Sequence, residues 1–186
     1  MRKNFGPNNW MYPMPVLIVS AYAKDGSVNA MNAAWGNISR ANQISVTINH
    51  GHKTTKNVLE KQAFTVSFAN RANMAACDYL GMESGNDVKN KMEKAGLHFT
   101  KSEFVDAPVV DELPMCLECR VLSYDPDVNR LIGEIVNICA DESILDAEGN
   151  IDPKKLDPLI FDPVHHHYYT LGEKAGDALG EGKKLI

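Results

Sequence analysis

The segment Ser45–Asn57, SVTINHGHKTTKN, gathers the residues of this chain best suited to hold an anion. Ile44, Val46 and Ile48 alternate like one face of a strand, and a Gly-containing loop follows. Lys53, Thr54 and Thr55 then fall in the expected first turn of a helix. A helix start presents unpaired backbone N–H groups and a partial positive charge. A cation and a pair of hydroxyls added there would make a receptor for a phosphate monoester. The same residues also describe an ordinary Thr-capped helix, so this segment alone leaves both readings open.

Two further segments carry complementary chemistry. In NAMNAAW, small residues at Ala30, Ala33 and Ala34 would let a flat ligand or another backbone approach closely, around Met31 and Trp35. Asn29 and Asn32 offer donors and acceptors for a heterocycle edge or a phosphate. A small-residue strand packed under a helix explains the same pattern. Ser84-Gly85, with Lys89 and Lys91, supplies a hydroxyl, an approachable backbone and cations. A planar heterocycle bearing one phosphate would use all three segments, and flavin mononucleotide (FMN) has that shape.

Other chemistries lack a signature. No Walker sequence or GxSxG is present, and Gly180-Glu181-Gly182 has neither the preceding strand nor the third glycine of a dinucleotide fingerprint. Cys116-Leu-Glu-Cys119 has CxxC spacing, but residues three apart on a strand point to opposite faces. Structural, reduced thiols are expected. His165-His166-His167 runs directly into Tyr168 and Tyr169; on a strand only His165 and His167 share a face, so a strand edge or contact surface is favoured over a metal site.

Strands dominate the chain that must position these residues. Val16–Val19 reads as a strand buried on both sides, Asp25-Gly26 as a tight turn, and Asn29–Asn37 and Ile44–Asn49 as the next two strands. Lys53–Lys61 is expected to be a helix and Phe64–Phe68 a strand; Met74, Cys77 and Leu80, then Val88, Met92 and Ala95, have helical spacing. Pro108 and Pro114 bracket a connector before strands at about Met115–Tyr124, Leu131–Ala140 and His166–Leu171. This pattern predicts a mainly antiparallel sheet closed into a β-barrel with peripheral helices, in a single domain over residues 1–186.

Composition narrows the partners. A net charge of −5 with no long basic cluster argues against nucleic acid and anionic membranes. The N-terminal MRKNFGPNNW lacks an apolar signal-peptide core, and the apolar run near Pro15–Ala23 is too short to span a bilayer. A soluble cytoplasmic protein is expected.

Taken in order, the motifs resemble the flavin reductase-like, FMN-binding split-barrel family, and within it the flavoredoxin branch. The matching pieces are Pro13–Val16, Asp25–Ala30, Met31–Trp35, Lys53–Asn57, Phe64–Ser67, Ser84-Gly85, Lys91, Gly96-Leu97, Glu118-Cys119, Gly133-Glu134, Ile151-Asp152 and Tyr169–Gly172. The resemblance implies a Greek-key split barrel of about six strands, a homodimer, and FMN held near the subunit interface. It implies phosphate contacts from Asn32, Lys53, Thr54, Thr55, Ser84 and Lys91, with Lys89 as an alternative alignment. It implies ring contacts from Asn29–Met31 and Ala33–Trp35, with Tyr168 or Tyr169 covering the ring. Relatives often carry Arg where this chain has Lys53, and lysine cannot form arginine's bidentate fork. The implied function is an oxidoreductase or electron-transfer protein passing hydride or electrons through FMN, with NAD(P)H as a transient donor and a small molecule or protein as redox partner. The alternative is a carrier or sensor that binds FMN without NAD(P)H reductase activity. No residue stands out as a general acid or base.

Overall fold

The computed structural model describes residues 1–186. Its elements in chain order are β1 (Met14–Pro15), β2 (Leu17–Tyr22), β3 (Val28–Ala33), β4 (Gly36–Arg40), β5 (Gln43–Thr47), α1 (Lys53–Lys61), β6 (Ala63–Phe68), α2 (Met74–Met82), α3 (Lys91–Ala95), β7 (Phe99–Lys101), β8 (Pro108–Val110), β9 (Met115–Asp125), β10 (Arg130–Ala140), α4 (Pro153–Leu156), β11 (Leu159–Asp162) and β12 (His167–Thr170). Seven strands form one antiparallel sheet in the order β3-β2-β6-β9-β10-β5-β4. β1, β11 and β12 form a three-stranded sheet, and β7 and β8 a pair.

Connectivity forces the large sheet to curl. β3 and β4 occupy its opposite edges, which a flat sheet would hold roughly 29 Å apart at ~4.8 Å per strand. Only Ala34 and Trp35 separate the two strands, a reach of about 11 Å at most. The edges therefore come together at Ala34–Trp35, and Thr47 N–H donates to the Trp35 carbonyl at 2.8 Å, carrying the β4–β5 ladder up to that crossing. The result is a split barrel with helices at its periphery, the expected fold class.

Two apolar layers hold this shape. Inside the curl, Leu17, Val19, Val46, Phe64, Val66, Leu117, Cys119 and Leu131 are buried together. On the other face of β2, Val16 and Ile18 pack with Ala30, Cys77, Leu80 and Val110, beneath α2 and β8. β2 is thus covered on both sides, as its continuous apolar run implies. Gly133 sits where the β9–β10 register shifts, and a Cβ there would lie 2.3 Å from Phe64 Cζ. The close approach of ring to backbone requires glycine.

Several elements differ from the sequence reading. The single strand expected over Asn29–Asn37 is two strands, broken at Ala34–Trp35 where the chain crosses between sheet edges. The main sheet holds seven strands, not about six. Val88 lies outside α3, which begins at Lys91, and the connector after Pro108 opens with β8. His165 and His166 form a hairpin turn rather than strand, with His166 at φ 58, so β12 begins at His167. No helix is long and apolar enough to cross a membrane.

Candidate functional site

The start of α1 is an uncapped helix terminus. Its N-cap residue, His52, makes no side-chain cap, and no acidic residue lies in the first turn. Lys56 N–H, bonded to the His52 carbonyl, opens the helical ladder; the amides of Lys53, Thr54 and Thr55 precede it. Lys53 forms no ion pair with a carboxylate. Asn29 Nδ2 donates to Thr54 Oγ1 at 2.6 Å, which leaves the Thr54 hydroxyl proton free to donate elsewhere. Ser84 Oγ likewise accepts from Asn86 N–H at 3.1 Å and keeps its own donor.

These groups converge on a cavity of about 190 Å³. Asn29, Met31 and Asn32 of β3, Lys53 and Thr54 of α1, the Ser84-Gly85 loop and Lys91 all line it. Gly85 makes the convergence possible, because a Cβ there would stand 2.0 Å from Asn29 Oδ1. His52 and the turn from Leu80 to Glu83 complete the wall and escaped the sequence reading. His52 adjoins Lys53 and was the more legible; Gly81 and Met82 end a helix whose spacing signals only core.

Lys91 is buried, and its Nζ donates to the Ala30 carbonyl at 2.7 Å and the Leu80 carbonyl at 2.8 Å. Burial pushes its pKa down to about 8, against an opposing pull from Glu83. An ammonium has three donors, so one N–H remains beyond these two bonds. His52 is also held below its usual value, first by burial and then by the Lys91 charge. The cavity thus combines two lysines with one carboxylate, Glu83, on its rim.

A second cavity of about 340 Å³ adjoins the first, sharing Asn32, Gly81 and Met82 with it. Ala34, Asp78, Phe161 and Tyr168 complete much of its wall. Tyr168 donates its hydroxyl to Asp78 Oδ1 at 2.7 Å, and burial followed by this bond raises its pKa to about 12. Asn32 Nδ2 donates to the Cys77 carbonyl at 3.3 Å.

β3 offers backbone as well as side chains, because it is a sheet edge. Ala23 N–H donates to the Ser27 carbonyl at 2.7 Å. Alternation from that pair turns the backbone groups of Asn29, Met31 and Ala33 toward β2 and those of Ala30 and Asn32 outward. Lys91 takes the outward carbonyl of Ala30. The Ala30 amide and both Asn32 backbone groups are left at the edge as an unpaired row of donors and acceptors.

Not every expected residue reaches these cavities. Thr55 is fully buried, its hydroxyl unpartnered and outside both linings. Its side chain faces the interior, while its amide stays at the helix start. Lys89 is exposed and lines neither cavity; Lys91 takes the inward position. Ala30 and Ala33 are buried in the sheet, so only their backbone is available to a ligand. Trp35 is 52% exposed and lines a separate cleft with Asn9, Met11 and Met14.

The sequence and the fold place the chain in a known class of protein. The family described as "Flavin reductase like domain" matches residues 10–171, and the chain belongs to that family. The flavoredoxin of Desulfovibrio vulgaris (Miyazaki F) is 36% identical and superposes with a TM-score of 0.93, covering 98% of this chain and 100% of that one. Flavoredoxin from Methanosarcina acetivorans is 32% identical with a TM-score of 0.90, covering 100% of each chain. An FMN-binding domain of a flavin reductase-like enzyme from Shewanella baltica OS155 shares the fold at 21% identity, TM-score 0.76 and 88% coverage of each chain.

Proposed function

We propose that the chain binds FMN across the two adjoining cavities and passes hydride or electrons between a donor and an acceptor. The observation that carries this reading is the continuity of a phosphate-type donor set with a flat, edge-strand platform through Asn32, Gly81 and Met82. The amides of α1, Thr54 and Ser84 hydroxyls, Lys53 and the third Lys91 proton would hold the phosphate. Gly85 would bring the loop backbone close. The outward amide of Ala30 and the backbone of Asn32 would address the ring's polar edge, with Tyr168 and Phe161 against its flat side. Bound FMN would supply the hydride- and electron-carrying chemistry, so the protein need supply only position and hydrogen bonds. This accords with the lack of a general acid or base.

The flavoredoxin and flavin reductase-like relatives support a flavin-related redox role; this reading adds NAD(P)H as transient donor and a small molecule or protein as acceptor. A homodimer is part of the same reading, as is a cytoplasmic setting. Trp35, Ile38, Trp10 and Met11 are exposed apolar groups around the seam, suited to cover by a second copy. The test is anaerobic titration of the FMN-loaded protein with NADH and NADPH, followed by absorbance. Bleaching by either nucleotide is the expected result. Reduction by dithionite alone would replace the reductase with a carrier, and failure to bind FMN would remove both.

A further inference from the structure

β9 and β10 place two cysteines face to face. Cys116 and Cys139 are direct partners in a register that runs unbroken from Glu118–Asn137 to Met115–Ala140. Directly opposed residues of an antiparallel pair project to the same face with Cα atoms about 4.5–5.5 Å apart. That separation lies inside the range a disulfide requires. Cys119 is excluded as a partner of Cys116, because its side chain enters the inner core. Cys77 belongs to α2 and packs in the outer layer.

The two thiols have unequal surroundings. Cys116 is buried, whereas Cys139 is only half-buried and is the one cysteine of the four with solvent access. Contact between the two thiols, with burial adding to it, raises the Cys116 pKa, and the same contact draws the Cys139 pKa below the usual thiol value. Burial instead pushes Cys77 and Cys119 up to about 12. An accessible sulfur that ionises more readily, beside a buried one that stays protonated, has the arrangement of an attacking and a resolving thiol. β9 stands three strands from β3, so the pair lies away from the proposed FMN cavity.

We propose that Cys116 and Cys139 form a reversible dithiol–disulfide couple, oxidised by small disulfides such as oxidised glutathione. The Cys139 thiolate attacks one glutathione sulfur, breaking its S–S bond. This forms a Cys139–glutathione mixed disulfide and releases one glutathione, which takes up the proton lost by Cys139. Cys116 sulfur then attacks the Cys139 sulfur, the mixed disulfide breaks, and the second glutathione leaves carrying the Cys116 proton. The two cysteines lose two electrons together and one oxidised glutathione gains them. Because the strands are already in register, closure needs no new pairing.

The test uses the full-length folded protein equilibrated across ratios of reduced to oxidised glutathione, then denatured, alkylated and mapped by mass spectrometry. In oxidising mixtures alkylation should fall to Cys77 and Cys119 only, with a Cys116–Cys139 linked peptide and circular dichroism unchanged. Cys116→Ser should trap glutathione on Cys139, and Cys139→Ser should keep its three remaining thiols alkylatable. Four alkylatable thiols at every ratio would overturn the proposal. So would stable glutathione on Cys139 of the unaltered protein, or a bridge formed only after the fold is lost.

Discussion

At the scale of single residues, Lys91 gives the site a pH signature. Its protonated form attracts a phosphate and its neutral form does not. Below pH 8 the charge is present in the free protein. Above it the empty site has lost a proton that a bound phosphate would draw back. FMN affinity is therefore expected to be flat between about pH 7 and pH 8, where the phosphate already carries its second charge, and to fall above it, by up to about tenfold per pH unit. Fluorescence titrations of FMN across that range, with Lys91→Met flattening the profile, check this. Stability follows the opposite sign. The fold depresses this lysine, so the unfolded chain binds more protons between about 8 and the ordinary lysine range, and the Lys91 contribution to stability rises with pH there. Thr54 is a second residue-scale test. Thr54→Val removes a hydroxyl donor and the acceptor of Asn29 Nδ2. It should weaken FMN binding by about 1–3 kcal/mol, whereas exposed Lys89→Ala should change little.

At the scale of elements, close packing of a loop on a strand assembles the cavity. Gly85→Ala would drive a Cβ into Asn29 Oδ1 and push the loop off β3. FMN binding should drop sharply with the melting temperature nearly unchanged; wild-type affinity in this variant would show that the close approach is not needed. Gly133→Ala tests the barrel instead. Overpacking against Phe64 should cost about 1–3 kcal/mol in urea unfolding. Much of this layer was readable beforehand. α1 runs from Lys53 to Lys61 as its spacing predicts, and the alternation of Phe64, Val66 and Phe68 marks β6. The break at Ala34–Trp35 was not readable, because it arises from closing the sheet and leaves no local signal. The inward turn of the Thr55 side chain was hidden for a related reason: residues adjacent on a helix face different directions, and only the packed fold decides which one looks into the cavity. β11 was hidden because it is short and one of its two partners, β1, lies near the opposite end of the chain. The facing of Cys116 and Cys139 depends on register between strands and cannot be read from CxxC spacing, which points to the wrong pair.

At the scale of the whole molecule, the curl joins otherwise separate segments. Residues from 29 to 168 of the chain meet at one edge because β3 ends the sheet and α1, α2 and the β11–β12 hairpin flank it. The same edge geometry leaves Trp35 and Ile38 uncovered, along with the exposed Trp10 and Met11 of the N-terminal segment. Light scattering at micromolar concentration is expected to give twice the chain mass. Trp35→Asp combined with Ile38→Asp should reduce it to one, and a wild-type monomer would remove the dimer from the account. If this edge grips a phosphorylated planar ring, it must tell FMN from riboflavin, which differs from it only in lacking the phosphate. Isothermal titration at neutral pH should show FMN binding at least about 100-fold tighter, as two or more charge-assisted contacts require. Equal affinity for the two flavins, or no binding of either, would contradict it.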